Sequence, residues 1–456
     1  MGTHRPFPAV IIHSQMDLLR AFRAHLRTLP IPRGRALVAV SGGPDSVALL
    51  DLMVRASPDH ELDLVVAHFD HGIHPESARI AGCVGDMAAA LDLPLERGRG
   101  RLGPAAGETA AREARHAFLE EARQRLDAAT IFLGHHADDQ VETVLLRLLA
   151  GSGPAGLAGI AAVNGPLVRP LLPFTRSDLA RYVRIRALPV WLDPANDDLR
   201  HQRAWVRARL LPMLRERAPD VDAALLRAAS QARADRTAWD ALLDLVPGLD
   251  PRLEHDGISV AGVGLRGYDS ALVTSLVLAL ARRVNCPLGP RRATRVLALL
   301  ESGSSGSEAP LSAGWKAEVA FGRLRLVRAG SRDVSRERLR IAGEQGQGSW
   351  GSWNIVWRRD VAPEHQERVE LTAWFTPDAL TVRGWTAGDR MRPLAGAGRR
   401  LVVRCFQDAR VPKSRRESWP VIAGPDEVVW VPGVCRSDAL VPPAGSEALR
   451  VDAELV

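Results

Sequence analysis

The stretch ALVAVSGGPDSVALLDLMV (36–54) decides the fold. ALVAV (36–40) is a short, wholly apolar run ending in glycines, the profile of a strand buried on both faces of a parallel sheet. SGGPDS (41–46) follows it directly and opens a helical segment near 46–55. Two adjacent glycines let backbone N–H groups come close to an anion, and the helix N-terminus adds the positive end of its dipole. Ser41 and Ser46 can donate hydroxyl hydrogen bonds, and Asp45 can hold a magnesium ion that bridges phosphates. A capped strand-to-helix turn would explain Gly-Gly alone, but Ser and Asp on both flanks point to a phosphate loop. The loop has no lysine, and only Lys316 and Lys413 occur in the whole chain. Walker-type ATPases and Schiff-base enzymes both need one in place, so both classes are excluded.

Working outward, apolar runs recur at LDLVVAHF (62–69) and ATIFLGH (129–135), with helical patterns near 77–91, 108–126 and 139–149. Alternating strands and helices predict a doubly wound α/β sheet that binds ligands at the carboxyl ends of its strands. A helix at 15–28, stopped by Pro30 and Pro32, precedes the sheet. A helix at 177–187, a polar turn DPANDD (193–198) and a basic helix over about 200–217 close the first domain. Residues 220–245 and 269–300 are Ala/Leu-rich and helical. ESGSSGSEAP (301–310) reads as a loop, 314–328 as strand-like, and the charged, Gly/Ser-containing 331–368 as including a linker. Short strands are expected from about 370 to 456.

Composition bounds the rest. At roughly 100–200 residues per domain, 456 residues make two to four domains. With 46% hydrophobic and 25% charged residues, each part can bury a core, which excludes a disordered, collagen-like or coiled-coil chain. Cys83, Cys286, Cys405 and Cys435 are far apart with no C-x-x-C pair, which excludes a disulfide scaffold, a zinc ribbon or a cysteine-ligated cluster and suits a reducing cytosol. The N-terminal apolar stretch is too short for a signal segment, and no run of 18 apolar residues occurs. The expectation is a cytoplasmic protein with no membrane partner.

GHHADDQVETVLLRLLAGSGPAGLAGI (134–160) stands at the end of the third apolar run. Asp138, Asp139 and Glu142 fall within five residues at a helix start, where spacing of three or four puts Glu142 on a face with one or both aspartates. Clustered carboxylates are costly unless a cation joins them, so they should serve a metal, a substrate ammonium group, or both. Capping accounts for one aspartate, not for three acids. His68, His71, His74, His135 and His136 are dense, but their spacing does not fit a helical zinc site; capping or contact with RNA or nucleotide is the better reading. Trp239, Trp315, Trp374 and Trp385 read as core.

SGGPDS resembles the SGGxDS loop of the PP-loop, or N-type, ATP pyrophosphatases, and further blocks are similar to the tRNA(Ile)-lysidine synthetases. They are HFDHGIHPES (68–77), ETAAREARHAF (108–118), RPLLPFTRSDLARYV (169–183), DPANDDLRHQRAWVRARLLP (193–212) and GDRMRPLAGAGRRLVVRCFQDARVPKSRRESWPVI (388–422), in that family's order. The resemblance implies a PP-loop (adenine nucleotide alpha hydrolase-like) catalytic domain at 1–218 and a mainly helical, tRNA-binding middle domain at 219–330. A linker region at 331–369 and a basic, small α+β or β-rich tRNA-binding domain at 370–456 complete it. It also implies the chemistry: ATP adenylates O2 of the wobble cytidine of an isoleucine tRNA with a CAU anticodon, and free L-lysine then attacks C2 and expels AMP. Ser41, Gly42, Gly43, Pro44, Asp45 and Ser46 should hold ATP and Mg2+, with Asp45 as the metal ligand. Arg112 and Arg115 should lie near ATP or the adenylate. Asp139 and Glu142, with or without Asp138, should position the lysine amine or a metal, and Arg207 should meet the lysine carboxylate or a phosphate. Asp45, Asp139, Glu142 and Arg207 are thus the catalytic set, and the resemblance leaves room for a homodimer.

The chain departs from that pattern at Ala204, where Asn is usual, at His116 in place of Tyr, at Ala150 in place of a basic residue, and near Phe406, where Arg404 alone remains of a basic pair. The competing readings are a tRNA thiolase of the same group, which would need paired cysteines, and a non-catalytic tRNA-binding relative, which would not need Asp45, Asp139 and Glu142. The net charge of +7 is accounted for by residues 380–419, with ten basic and three acidic side chains. An excess confined to the tail suits phosphate contacts from Arg390, Arg392, Arg399, Arg400, Arg404, Arg415 and Arg416.

Overall fold

The computed structural model describes residues 15–72, 76–100, 108–191, 202–328, 337–396 and 398–455. Two compact units divide the chain, Met1–Thr237 and Ala238–Val456. The first runs α1 (Gln15–Leu26), β1 (Gly34–Ala39), α2 (Pro44–Ala56), β2 (Leu62–Asp70), α3 (Ser77–Ala90), β3 (Leu95–Arg99) and α4 (Glu108–Arg125). It continues with β4 (Thr130–Phe132), α5 (Ala137–Leu149), α6 (Pro154–Leu157), β5 (Val163–Asn164), β6 (Leu167–Val168) and α7 (Arg176–Ile185). After α8 (Gln202–Trp205), a π-helical turn at Val206–Leu210 and α9 (Leu211–Arg217), α10 (Val221–Leu242) carries the chain into the second unit.

The sheet has the order β3-β2-β1-β4-β6-β5, parallel except for β5. Ala36, Val38, Leu64 and Val66 point into a core shared with α1, α2, α3 and α7. Leu37, Val65 and Ala67 point the other way, against Leu119 and Ala122 of α4. Helices therefore cover both faces, which is why Ala36–Ala39 of β1 and Leu64–Ala67 of β2 are apolar at every position rather than at every second one. Each fully buried aliphatic side chain of this kind contributes roughly 1.5–3 kcal/mol. On one face, Asp51 of α2 accepts the Tyr182 hydroxyl at 2.5 Å and pairs with Arg55 at 2.9 Å and Arg186 at 3.3 Å, fastening α2 to α7. Chain order reverses between β1 and β4, and such a switch point opens a crevice at the strand ends.

The second unit begins with β7 (Arg252–Glu254), β8 (Gly257–Ala261), α11 (Ser270–Arg283), α12 (Pro290–Ser302), β9 (Glu308–Pro310), β10 (Trp315–Ala320) and β11 (Arg323–Arg328). These strands form an antiparallel sheet, β7-β8-β11-β10-β9, whose core includes Val277 and Leu280 of α11 and Val296 of α12. There follow β12 (Arg338–Ile341), β13 (Gln345–Trp350), β14 (Trp353–Val361), β15 (Thr372–Phe375), β16 (Leu380–Gly384), β17 (Arg390–Met391), β18 (Arg400–Leu401), α13 (Val402–Asp408), α14 (Lys413–Arg416), β19 (Pro420–Ala423), β20 (Val428–Val431), β21 (Cys435–Arg436) and β22 (Glu447–Leu455). Sheets β12-β16-β19-β20-β21 and β13-β14-β22-β15 share a core containing Trp350, Trp353, Ile355, Phe375, Val382, Trp430 and Val451.

Of the stretch read as including a linker, 338–361 is three strands, while 329–336 lie outside the described residues. Trp353, Ile355 and Trp357 alternate with half-buried or exposed neighbours, a period-2 signal masked by the surrounding charges and glycines. The DPANDD turn (193–198) and His74 also lie outside the described residues.

Candidate active site

β1 and β4 are neighbours, so the segments after them meet. The Ala39–Gly43 turn enters α2 on one side, and Gly134–His136 enters α5 on the other. Gly42 has φ +92°, and a Cβ there would sit 2.8 Å from Ile80 of α3. A Cβ at Gly134 would lie 3.3 Å from the Asp45 carbonyl oxygen. Both glycines are thus required by close approach of one segment to another. Within the turn the Ser46 hydroxyl donates to the Gly43 carbonyl at 2.9 Å and accepts the Ser41 N–H at 3.1 Å, with the two serine hydroxyls 3.1 Å apart. Pro44 occupies the first turn of α2, where its missing N–H costs nothing.

His136 joins the two segments. It is 1% exposed, and its ring nitrogens lie 3.4 Å from Asp45, 3.6 Å from Asp139 and 3.7 Å from Asp138. Burial disfavours its charged form, but the close Asp45 carboxylate and the charge of Asp139 outweigh burial and raise its pKa. The neighbouring His135 behaves oppositely. Burial, then the charges of Arg169, Arg115 and Arg203, overcome the pull of Asp139 and lower it to about 3, so it is neutral.

The three acids of α5 are brought together, each with its own partners. Asp138 accepts the Arg176 N–H at 2.7 Å and lies 3.5 Å from Arg215. Asp139 accepts the His136 N–H at 3.0 Å, capping α5, and pairs with Arg203 at 2.9 Å. Glu142 is 1% exposed and accepts from Arg203 Nε at 2.7 Å and from Arg207 Nε and Nη2 at 2.6 and 3.0 Å. Burial would raise its pKa, but the hydrogen bonds from Arg207 and Arg203 hold it below the ordinary carboxylate range. Arg207 sits in the π-helical turn, and Leu210, Leu211 and Leu214 pack with Val141 and Leu145 to dock that turn on α5. Arg203, one turn before Arg207, stood out in sequence only as part of the closing block; its partnership with Glu142 spans 61 residues and leaves no local signal. Ala204, between them, is buried and offers no amide to the site.

Arg112 and Arg115 lie on α4. Arg112 is exposed, and both, with the buried Arg169 at the end of β6, help hold His116 below its usual pKa, after burial itself. Arg169 donates to the Ala161 carbonyl at 2.9 Å and was not singled out in the sequence. His68 places Nδ1 2.8 Å from the Val40 carbonyl, a structural contact under the loop. Among the described residues no group of three or more His, Cys, Asp or Glu side chains is arranged to hold a metal ion. No helix among them is long and apolar enough to cross a membrane.

The tail arginines are less free than their sequence clustering implies. Arg392 lies 3.7 Å from Asp438, Arg399 3.3 Å from Glu427, and Arg400 2.8 Å from Asp408. Arg404 donates to Gln407, and Arg416 to the Val411 carbonyl. Arg415 is committed inward, 2.9 Å from Glu254 and 2.7 Å from Asp256. A run of like charges along the chain is therefore largely paired in space, partly by acids from far outside the run. Arg390 is exposed. Trp239, Trp315 and Trp385 pack against cores as expected, and Trp374 lies under the Arg450 guanidinium at 5.4 Å.

Residues 15–214 match the family described as PP-loop domain, and 380–453 match the TilS substrate C-terminal domain. A tRNA(Ile)-lysidine synthase of Symbiobacterium thermophilum is 32% identical, aligning over 92% of this chain and 94% of its own length. One of Geobacter sulfurreducens is 31% identical over 99% and 98% of the two chains, and one of Thermobifida fusca 37% identical over 61% and 86%.

Proposed function

The chain belongs to the tRNA(Ile)-lysidine synthase family, and from that premise we propose that it ligates free lysine to C2 of the wobble cytidine of a CAU-anticodon isoleucine tRNA. ATP is consumed, and AMP and pyrophosphate are released. The supporting observation is the junction at His136, where the phosphate loop of α2 and the carboxylate–arginine cluster of α5 come within 4 Å of one ring.

The order of events follows from leaving-group chemistry. A carbonyl oxygen leaves poorly until it carries AMP, so O2 of the cytidine first attacks the α-phosphorus and pyrophosphate departs from the loop. The turn from Ser41 to Ser46 holds the phosphates with its N–H groups and hydroxyls. Asp45 is the residue that would hold Mg2+. Its side chain is 31% exposed at the helix start, and magnesium needs only one or two carboxylates beside the phosphate oxygens and water. Bound there, the ion would neutralise charge on the phosphates.

In the second half, the ε-amine of lysine attacks C2 as AMP leaves with O2. Asp139, Glu142 and Arg207 bind the lysine, with Asp138 supporting them through α7. Asp138, Asp139 and Glu142 already face Arg203, Arg207, Arg176 and Arg215, so a ligand bearing only positive charge would meet acids that already have cations. Lysine carries both signs. Its carboxylate takes Arg207 while an ammonium takes the acid that Arg207 gives up, and no charge is left buried alone. Arg112 and Arg115 face the adenylate, where a guanidinium fork suits phosphate oxygens. The tail domain grips the tRNA through Arg390, Arg392, Arg399, Arg400 and Arg404. Arg415, with Arg416 beside it, serves to fix that surface rather than to touch RNA.

The test is pure protein with a CAU isoleucine tRNA transcript, ATP and labelled lysine, followed by the mass of the anticodon nucleoside. Label in the RNA with loss of one AMP per lysine is expected. AMP formation without label would leave adenylation standing and sink the ligation. A thiolase reading is disfavoured because the first unit carries a single cysteine, Cys83 on α3, while Cys286, Cys405 and Cys435 are buried in cores of the second unit.

A further inference from the structure

Arg147, Arg233 and Arg236 of the first unit have no carboxylate partner among the described residues. Arg147 lies on α5 two turns beyond Asp139, about 12 Å along the helix. Its Nη1 donates to the carbonyls of Gly156 at 2.6 Å and Gly159 at 2.8 Å. Arg233 of α10 reaches the same loop from the other side, its Nη2 donating to the carbonyls of Ala158 at 3.2 Å and Ile160 at 3.0 Å. Arg236 is one turn further along α10, on the face of Arg233. Among the described residues no carboxylate pairs with any of the three, and no hydrogen bond or ion pair tethers Arg236.

We propose that Arg147, Arg233 and Arg236 form an anion site for a backbone phosphate of the RNA substrate, flanking the base that is modified at the start of α5. This rests on the tRNA-modifying reading above.

Carbonyl oxygens carry only partial charge, so the two loop-binding guanidinia remain uncompensated cations, each using one nitrogen and keeping further donors. Burial first, and the Arg236 charge second, push both Arg147 and Arg233 below the usual arginine range. Gathering like charges without a counter-ion is unfavourable until an anion arrives. Arg203 and Arg207, by contrast, share Glu142, and Arg282 has Asp240, whereas the buried Arg169 and Arg436 are met by carbonyls alone, as Arg147 and Arg233 are. A phosphodiester fits the guanidinium fork. Free pyrophosphate has the same chemistry, but the phosphate loop stands at the opposite end of α5, beside His136. A polynucleotide can reach both ends at once.

Arg236→Gln tests the site, since that side chain holds nothing in place and the thermal midpoint should stay at the parent value. Binding of the transcript, followed by fluorescence anisotropy across a range of KCl, should weaken roughly tenfold, and the slope of log K against log salt should become shallower by about 0.7–0.9. Arg236→Lys should restore the slope. Affinity and slope within twofold of the parent would overturn the proposal. So would weaker inhibition by inorganic pyrophosphate with unchanged tRNA affinity, which would make the occupant the product instead. A shifted slope in a protein that forms no lysidine would keep this site and sink the ligase reading.

Discussion

Each unit contains an ion network built on a carboxylate that is 1% exposed, and the two are put to opposite uses. In the first, Glu142 is shared by Arg203 and Arg207, whose side chains remain 23% and 30% exposed, next to Asp45 at 31%. In the second, Arg325 is 2% exposed and Glu318 1%; they pair at 2.8 Å, and Arg325 also reaches Glu254 at 2.8 Å. The Ser414 hydroxyl of α14 donates to Glu318 and accepts from Arg325 at 2.8 Å, and Arg415 closes the network on Glu254 and Asp256. The sealed network ties α14 to the β7–β11 sheet. The open one has water-facing arginines that can exchange partners for a ligand. Burial of the central cation, Arg325, separates the two, while Arg415 at the rim of the second network is 28% exposed.

The sharpest way to break this contrast is at the open end. Asp45→Ala should reduce AMP formation by about a thousandfold, as for loss of a preorganised charge in a transition state, with both units folded as judged by circular dichroism. Near-normal turnover would remove Asp45 from the chemistry. At the sealed end, Arg325→Met leaves Glu318 buried without its cation and should cost the second unit about 3–5 kcal/mol in urea unfolding, with the KM for lysine unchanged. A loss under 1 kcal/mol would mean water reaches Glu318.

Acid should then separate the units by pH. His25, lowered to about 4 by burial, and His135, lowered to about 3, are neutral when folded, and His68 and His116 are shifted the same way. As pH falls below 6.5 the unfolded chain takes up protons that these residues refuse, so the first unit weakens from there downward, with His136 opposing in part. Among the shifted groups of the second unit are the carboxylates Glu254 and Asp256. Burial raises them, but the arginines, Arg325 first for Glu254 and Arg415 for Asp256, leave both lowered, so their stabilisation is complete above ordinary carboxylate values and lost only as pH falls below them. Peptide-resolved hydrogen exchange should show first-unit protection falling between pH 6.5 and 4.5 while the second holds; parallel loss would refute the difference. The smallest effect is expected from Glu318→Leu combined with Arg325→Met, which should lie within about 1 kcal/mol of the parent. The matching pair in the first unit, Glu142→Leu with Arg207→Met, should be stable yet fail to use lysine.

What could be read from the chain follows the same division. The sheet and its loop were legible because β1, β2 and β4 each hold an unbroken buried apolar run, and the acids of α5 because they fall within five residues. Edge strand β3 was not, since LERGR has no apolar pattern and is held by pairing with β2. The β7–β8 hairpin was missed for a similar reason: Arg252 and Glu254 are the polar face of a sheet whose other members lie far along the chain. The arginines that complete Glu142, and the acids that neutralise Arg415, come from 61 to 161 residues away. Composition records such charges without saying whom they meet.

The spacing of the site along the chain also orders events in time. The phosphate loop emerges near residue 46, the acids near 142 and their arginines near 207. At a synthesis rate of roughly 5–20 residues per second, the loop waits about 5–20 s for α5 and several more for Arg203 and Arg207. The β1 edge is completed once β4 emerges, but until residue 203 Glu142 has only Arg176, 3.9 Å away, among its cations. A ribosome-bound chain halted before residue 200 should fold much of the sheet yet be unable to complete its acid cluster, so catalytic competence is among the last properties the first unit acquires.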